Sequence, residues 1–309
     1  MNSVLVTGAN GFIGRHLSKD LSLDDFRVVG VGHGRPSKLL LKKWGIDHWI
    51  EGDIDQESLS SFPLELGSPS MIFHLAGGSS VAPSIADPVS DFNRSVKSTL
   101  ELLEWTRRTH PSAKLVLSSS AAVYGSQHNS PISELDQLSP FSPYGYHKRM
   151  AEELFQSYGE NFGLNVAIVR LFSVYGPELR KQLLWDICNK LHQDSENLIL
   201  GGTGEEVRDW IHVQDATKIL RLALIQAKRE CPIVNGGSGH AIRVKEIATL
   251  VSTEWGTAPA LNFTQRSRPG DPRYLVSQRK LYGMGGLNSY ISVERGIAEY
   301  VSWFKQTQL

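Results

Sequence analysis

A glycine-rich loop directly after the first predicted strand constrains this chain more than any other feature. The apolar run Ser3–Thr7 predicts a buried strand, and glycines follow it before an amphipathic helix begins. Glycines at this spacing permit a tight turn, close approach of the backbone to a ligand and close helix–strand packing. The helix N-terminus adds backbone N–H groups and a partial positive charge. The loop therefore predicts a site for a dinucleotide pyrophosphate, formed by Gly8, Gly11, Phe12, Ile13 and Gly14.

Short apolar runs alternate with helical patterns through the first half of the chain. The predicted strands are Ser3–Thr7, Arg27–Val31, His48–Glu51, Met71–Leu75, Lys114–Ser118 and Asn165–Leu171, and the helices are Phe12–Leu21, Val89–Thr109 and Pro143–Phe162. Nearly continuous apolar strands are typical of a sheet covered on both faces. The alternation therefore predicts an α/β fold with a doubly wound parallel sheet, whose ligands bind at the carboxyl ends of the strands.

The pattern loosens after Leu171. Helices are predicted near Leu179–His192, Val213–Gln226, Val244–Trp255 and Glu294–Lys305, and strands near Leu198–Leu200 and Pro232–Asn235. We expect the sheet domain to span residues 1–172, with 208–235 rejoining it. Residues 173–207 and 236–309 are expected to form a smaller, discontinuous C-terminal lobe.

The composition excludes several classes of protein. Lys plus Arg and Asp plus Glu number 32 each, so no net charge gathers nucleic acid or an anionic membrane. Cys188 and Cys231 have neither disulfide nor metal-ligand spacing, and no metal site is predicted. No run of about 18 apolar residues predicts a membrane span, and no signal-peptide pattern is seen. We expect a cytoplasmic protein that neither binds nucleic acid nor inserts into a membrane.

The end of the second predicted strand bears on the choice of dinucleotide. NAD sites usually place an Asp or Glu about 20 residues beyond the glycines, against the ribose 2′-OH. Here Gly32 follows the strand and Arg35 comes shortly after it. An arginine fork suits a 2′-phosphate, with a solvated basic loop as the alternative. We therefore favour NADP(H) over NAD(H). Asp53, after the third strand, is either a contact of the adenine amino group or a turn residue.

Three polar side chains predict an acid–base site at the same edge of the sheet. Ser120 ends a serine-tipped strand pattern, and Tyr144 and Lys148 lie one turn apart on the following helix. A tyrosine hydroxyl has a pKa near 10, which a neighbouring ammonium lowers. Ser120 is suited to hydrogen-bond a substrate oxygen. The Tyr–Lys spacing is common by itself, but its place downstream of a dinucleotide loop makes it specific.

The glycine loop and the Ser–Tyr–Lys group, taken together with further motifs, resemble those of the extended short-chain dehydrogenases, the nucleotide-sugar epimerase/dehydratase family. The resemblance runs nearly end to end through the glycine loop, Gly52-Asp53-Ile54, His74-Leu75-Ala76-Gly77, Val123-Tyr124-Gly125, Ser142-Pro143-Tyr144-Gly145, Arg170–Pro177, Arg208–Val213 and Arg268–Asp271. It implies a Rossmann-type sheet, a substrate-binding C-terminal lobe and a nucleotide-diphosphate sugar as partner.

The resemblance also implies roles for individual residues. Ser120, Tyr144 and Lys148 would be the catalytic triad, with Lys148 also at the nicotinamide ribose. Ile54, Leu75, Ala76 and Gly77 would line the cofactor. The substrate contacts would be Ser173, Arg208, Arg268 and Asp271, with both arginines on the diphosphate. Read alone, Arg208 is also placed for an ion pair with Glu205 or Glu206. A homodimer through the helices near 89–109 and 143–162 is expected, as in the family.

Departures from the family pattern bear on the reaction. Sugar 4,6-dehydration uses an acid and a base where Ala121 and Ala122 stand here, and alanine transfers no proton. A 4-ketoreductase that uses NADPH once and a 4-epimerase with bound NAD(P) remain. Arg35, and serine at 173 where the family usually has Asn, favour the reductase. The epimerase is the alternative, and a non-catalytic NADP-binding regulator is a third hypothesis that the intact triad opposes.

Overall fold

The computed structural model describes residues 3–265, 272–278 and 290–308. In chain order the strands are β1 (Ser3–Thr7), β2 (Arg27–Gly32), β3 (His48–Glu51), β4 (Met71–His74), β5 (Lys114–Ser120), β6 (Asn165–Leu171), β7 (Ser173–Tyr175), β8 (Asn197–Leu200), β9 (Val207–His212), β10 (Ile233–Gly236), β11 (Ala241–Arg243), β12 (Ala260–Phe263) and β13 (Tyr274–Leu275).

The helices are α1 (Phe12–Leu23), α2 (Lys38–Lys43), α3 (Gln56–Ser60), α4 (Val81–Ala86), α5 (Pro88–Phe92), α6 (Ser98–Thr109), α7 (Pro143–Phe162), α8 (Gln182–Gln193), α9 (Val213–Ile225), α10 (Val244–Trp255) and α11 (Val293–Thr307). A five-residue π-helical segment, Asn93–Lys97, joins α5 to α6, so the single helix predicted from Val89 changes hydrogen-bonding pattern along its length. Short 3₁₀ turns lie at Leu64–Leu66 and Ala121–Val123.

The largest sheet has seven strands in the order β10-β6-β5-β4-β1-β2-β3. Neighbouring strands from β1 to β6 pair in parallel, so their carboxyl ends share one edge. The strand order reverses direction between β1 and β4, which is where doubly wound sheets bind ligands. The α/β fold class with a Rossmann-type sheet and smaller C-terminal sheets is confirmed.

The residues between β5 and β6 show why α7 forms where the sequence predicts it. Ser142 accepts the Gly145 N–H at 3.3 Å as the helix cap, and Pro143 fills the first helical position. Gly163 ends the helix with φ +73°, a conformation that favours glycine. The buried face of α7 belongs to the same core as the sheet and includes Phe155. These boundaries fix the first turn of α7, which carries the candidate catalytic residues.

The chain divides into two compact units. One contains residues 1–124, 137–171 and 217–234, and the other contains 125–136, 172–216 and 235–309. The first unit holds strands β1–β6. In the second, β9 pairs antiparallel with β11 and parallel with β7 and β13, while β8 and β12 form a separate parallel pair. The domain boundaries expected from the sequence stay a prediction. Among the described residues, no helix is both long and apolar enough to cross a membrane.

Candidate active site

The glycine loop forms a tight turn between β1 and α1. Gly8 has φ +69°, and its N–H donates to Val31 O at 2.8 Å, while the Gly11 N–H donates back to Gly8 O at 2.8 Å. A Cβ on Gly14 would lie 2.3 Å from Gly8 O, so a side chain there would force helix and loop apart. Phe12 begins α1 behind Gly11, whose position provides no side-chain cap. The first turn of α1, with Ile13 and Gly14, is thus available to anionic groups.

The end of β4 lies directly against this loop. A Cβ on Gly8 would come within 2.8 Å of the Ala76 nitrogen and 2.9 Å of the Leu75 carbonyl carbon. The Ala76 N–H donates to Thr7 Oγ1 at 3.2 Å. Gly77 continues the turn with φ +148°, and a Cβ there would lie 3.0 Å from Lys148 Nζ. The structure therefore brings Leu75, Ala76 and Gly77 between the glycine loop and Lys148.

The His74 side chain links the elements next to this turn. Its Nδ1 is 2.8 Å from Thr7 Oγ1 and its Nε2 is 2.9 Å from Thr99 Oγ1, deep in the first unit. Burial, followed by the charge of Lys148, lowers the pKa of His74 to about 3, so the ring is neutral at physiological pH. Sequence reasoning treated His74 only as part of a motif. Two buried hydroxyl partners make it a structural link between strands β1 and β4 and helix α6.

Ser120, Tyr144 and Lys148 come together at the carboxyl end of β5. The Ser120 hydroxyl lies close enough to Tyr144 to influence the pKa of its phenol, and the Tyr144 N–H donates to Ser84 Oγ at 3.0 Å. Lys148 lies one turn further along α7 and is 5% exposed. Its Nζ donates to the Ser118 carbonyl at 2.9 Å. This arrangement places a hydroxyl pair and an ammonium beside the turn after β4.

The charges of this site are set mainly by burial. Burial raises the pKa of Tyr144 above its ordinary value, whereas the neighbouring Ser120 hydroxyl lowers it and the Asp91 charge raises it. The net direction is opposite to the lowering expected from Lys148 alone. For Lys148, burial lowers the pKa to about 8, and the carboxylates of Asp91 and Glu152 oppose that effect. The protein without ligand thus holds a neutral phenol beside an ammonium that titrates within reach of physiological pH.

A buried ion pair supports the site, and sequence reasoning missed it. Arg170 on β6 and Glu152 on α7 are bonded through Nη2 and Oε2 at 2.7 Å, with side chains 3% and 2% exposed. Arg170 also donates to the Tyr124 hydroxyl at 2.8 Å, and Ser119 donates to Glu152 at 2.5 Å. The sequence signal for this pair was a charged residue inside the apolar pattern of a predicted strand and another inside that of a predicted helix. The partner could not be read from the chain, because the two lie on different elements.

An acidic side chain lies beside Arg35, the residue predicted to bind a 2′-phosphate. Arg35 Nε lies 2.5 Å from Glu51 Oε2, so this guanidinium already has a carboxylate partner. Glu51 ends β3 directly opposite Gly32 in the parallel register. A side chain at Gly32 would press on Trp49, whose ring carbon lies 3.3 Å from the Cβ position. Strand pairing therefore places an acid beside Arg35, and the predicted role of Arg35 at a 2′-phosphate stays a prediction.

Asp53 and Ile54 follow β3 at the same edge. Asp53 Oδ1 is 3.1 Å from His33 Nε2, and both side chains are exposed. Ile54 is buried in the core of the first unit. Their predicted roles at the adenine end of a cofactor stay predictions.

The predicted substrate residues fall in the second unit. Ser173 begins β7 opposite Trp210 of β9, and Arg208 lies on β9 with Nη1 donating to Val207 O at 3.0 Å. The acids proposed as partners of Arg208 have other contacts: Glu206 accepts the Gly204 N–H at 2.9 Å, and Glu205 binds Lys245 at 2.5 Å. Arg268 and Asp271 lie outside the described residues.

Asp209, next to Arg208, is a buried acceptor that sequence reasoning left without a role. One carboxylate oxygen accepts from both the N–H and the hydroxyl of Ser238 at 2.7 Å. The other accepts from the Gly239 N–H at 2.9 Å and from Ser277 N–H and Oγ at 3.1 and 2.5 Å. Asp209 therefore joins three separate segments of the second unit.

Comparison with known proteins agrees with this geometry. The family described as NAD dependent epimerase/dehydratase matches residues 4–236. A UDP-glucose 4-epimerase from Azospirillum brasilense is 30% identical over 299 residues, which cover 89% of this chain and 83% of the relative. A Thermotoga maritima UDP-glucose 4-epimerase solved with UDP-glucose has TM-score 0.88 and 26% identity, covering 99% of this chain and 100% of the other. A Bacillus cereus UDP-glucuronic acid 4-epimerase solved with UDP-glucuronic acid and NAD has TM-score 0.86 and 26% identity, over 99% of each chain.

The sheet, the glycine loop and the Ser–Tyr–Lys group define an enzyme of the short-chain dehydrogenase type. The chain belongs to the NAD dependent epimerase/dehydratase family, as its motifs predicted. The family-level prediction is confirmed, whereas the preference for a reductase and for NADP(H) finds no support in these relatives.

Proposed function

We propose that this protein is an NAD-dependent 4-epimerase of a UDP-sugar. The observation that carries the proposal is the grouping of Ser120, Tyr144 and buried Lys148 at the turn that adjoins the glycine loop. The relatives that support it are named as 4-epimerases of UDP-glucose and UDP-glucuronic acid. The epimerase, the alternative in the sequence-based reading, therefore replaces the reductase as the leading hypothesis.

The proposed chemistry follows from the side chains. Tyr144 as phenolate takes the proton of the sugar 4-hydroxyl, while Ser120 orients that oxygen and Lys148 favours the ionised phenol. NAD, when bound, would supply the acceptor and later the donor of the C4 hydride, and its positive charge would add to that of Lys148. Tyr144 gives its proton back to the C4 oxygen after the sugar has presented its opposite face. Two alanines, Ala121 and Ala122, beside the reacting group leave no side chain for elimination of water.

The residues proposed to hold NAD lie in the turn between β1 and α1 and in the turn after β4. The first turn of α1 and the glycines before it suit the pyrophosphate, and Leu75-Ala76-Gly77 suits the nicotinamide half, with Lys148 at its ribose. Glu51 ends β3 directly opposite Gly32, so it places an acid next to the end of β2, and its charge disfavours a 2′-phosphate beside Arg35. This supports NAD over NADP.

We propose that Arg208 and Arg268 hold the diphosphate of the sugar nucleotide, with Ser173 at the sugar and Asp271 at the nucleoside ribose. Forked guanidinium groups match the geometry of phosphate oxygens. A net charge of zero means that such local clamps, and no general field, must attract the ligand.

A homodimer through α5, α6 and α7 is also proposed. These helices expose several large apolar side chains on one unit, which is unusual for a face in water: Val89, Phe92, Leu100, Tyr146, Met150 and Phe162. A cytoplasmic location stays a prediction.

The test is a reaction with purified protein and defined sugars. UDP-glucose, UDP-galactose and UDP-glucuronic acid are incubated singly with NAD, and products are resolved by chromatography and proton NMR. We expect interconversion at C4 without net formation of NADH, and none in Tyr144→Phe. Stoichiometric consumption of NADPH with a 4-keto-sugar, and no interconversion, would instead establish the reductase.

A further inference from the structure

A buried carboxylate–imidazole pair lies beside the acid–base group and has no role in the mechanism above. His147 directly precedes Lys148 on α7, and Asp91 lies on α5. Their contact, Nδ1 to Oδ2, is 2.6 Å, and the residues are 9% and 6% exposed. Phe92 packs edge-on against the imidazole, with ring centroids 5.5 Å apart. A charge buried this deeply is retained only where it is paired.

The other oxygen of Asp91 lies against the turn that follows β4. A Cβ on Gly78 would be 1.9 Å from Asp91 Oδ1, so only glycine leaves room for the carboxylate. The Gly78 N–H donates to Ser95 Oγ at 2.9 Å, which fixes the backbone at this point. Gly77, one residue earlier, adjoins Lys148 Nζ. Asp91 thus packs on the same turn that contacts the catalytic ammonium.

Among the charged groups near Lys148 and Tyr144, Asp91 affects the pKa of both residues. Lys148 faces Asp91, Glu152 and His74, and Tyr144 faces Asp91 and Ser120. Glu152 is engaged by Arg170, so its charge is largely compensated. The negative charge of Asp91 raises the pKa of both Lys148 and Tyr144.

We propose that Asp91 and His147 are a positioning pair, in which His147 holds the Asp91 carboxylate beside Lys148 and Tyr144 as a fixed negative charge. The pair keeps the buried lysine protonated and keeps the tyrosine a phenol until a cationic ligand arrives. Neither residue exchanges atoms with a substrate.

The test measures the ionisation of Tyr144 without any substrate. Ultraviolet titration of each protein is compared with the same background carrying Tyr144→Phe, so the difference isolates one phenol among the nine tyrosines. In Asp91→Asn the Tyr144 midpoint should fall by about one pH unit, the size of a nearby-charge effect. Asp87→Asn is the matched control, because it removes an exposed charge from the cap of the same helix and should leave the midpoint unchanged.

Two further variants separate charge from folding. Asp91→Glu keeps the charge and should restore most of the wild-type midpoint. Gly78→Ala keeps Asp91 but displaces its carboxylate, and should lower the midpoint less than Asp91→Asn. Circular dichroism verifies the fold of each. Unchanged midpoints in folded Asp91→Asn and Gly78→Ala would overturn the proposal, and if Asp91→Asn does not fold, Gly78→Ala alone decides.

The consequence for turnover rests on the proposed function. If the protein is a 4-epimerase, kcat decreases at high pH. In Asp91→Asn this decrease should occur at lower pH, because the charge that raises the pKa of Lys148 and Tyr144 is gone. Absence of epimerisation would remove only this second measurement, because the titration needs no reaction.

Discussion

The two compact units use buried charge for different purposes. In the first, buried charges lie near the proposed reacting groups: Glu152 pairs with Arg170, and Asp91 packs on the turn that adjoins Lys148. In the second, Asp209 is fully buried but its partners are backbone N–H groups and serine hydroxyls of two other segments. We propose that the first arrangement sets the positions and pKa values of the reacting groups. The second fixes the backbone next to Arg208, which we propose contacts the substrate. Substitutions in the two units should therefore affect different measured quantities.

The largest effect should be on folding, from Arg170→Leu in the first unit. It leaves Glu152 buried without its partner, and breaking such pairs costs about 3–5 kcal/mol of unfolding free energy. Arg149→Leu is the control, because it removes an exposed ion pair with Glu153 on α7, the helix that also carries Glu152. It should cost less than about 1 kcal/mol. Urea denaturation measures both. Equal losses would mean that burial of the Arg170 pair carries no special weight.

The next effect is catalytic and also belongs to the first unit. Tyr144→Phe should lower kcat at least about a hundredfold, because general acid–base catalysis contributes that much, while cofactor binding is unchanged. Tyr146→Phe, half-exposed on the same helix, is the control. Steady-state kinetics and titration calorimetry with NAD measure the two quantities. Undiminished turnover in Tyr144→Phe would remove this residue from the mechanism.

A substitution in the second unit should change binding more than chemistry. Arg208→Ala should raise KM by about ten- to a hundredfold, the worth of hydrogen bonds to a charged group, with kcat reduced less. Arg243→Ala, which removes an exposed cation paired with Glu246, should leave KM unchanged. A loss confined to kcat would contradict the division of labour between the units.

The smallest effect concerns cofactor choice. Glu51→Gln removes the negative charge beside Arg35 and should strengthen NADP binding about fivefold, from roughly 1 kcal/mol between charges about 4 Å apart in water. Affinity for NAD should fall or stay constant. Glu57→Gln, on exposed α3, is the control. Titration calorimetry gives the dissociation constants of NADP and NAD. An unchanged ratio of the two constants would show that Glu51 does not discriminate between a ribose 2′-OH and a 2′-phosphate.

The sequence predicted those parts of the fold that depend on local pattern. Pro143–Phe162 and Asn165–Leu171 have the bounds expected from capping residues and apolar periodicity. The contacts that it missed join residues distant along the chain. Arg35 meets Glu51 only because β2 and β3 pair in a particular register, and Asp91 meets His147 only after α5 packs near α7.

The site shows the same limit. Ser120, Tyr144 and Lys148 could be grouped from their spacing, because a strand end and one helical turn fix their positions. The direction of the Tyr144 pKa could not, since it depends on burial and on Asp91. Arg268 and Asp271 lie outside the described residues, so their roles stay predictions.

We propose hydride transfer at the sugar C4 beside Tyr144, and isotopic labelling follows the fate of that hydride. UDP-sugar carrying deuterium at C4 is converted in ordinary water with catalytic NAD, and the C4 position of the epimer is read by NMR and mass spectrometry. Retention of deuterium at C4 of the product is predicted, since the same hydride leaves and returns. Replacement of that deuterium by solvent hydrogen would rule out transfer of one hydride away from C4 and back.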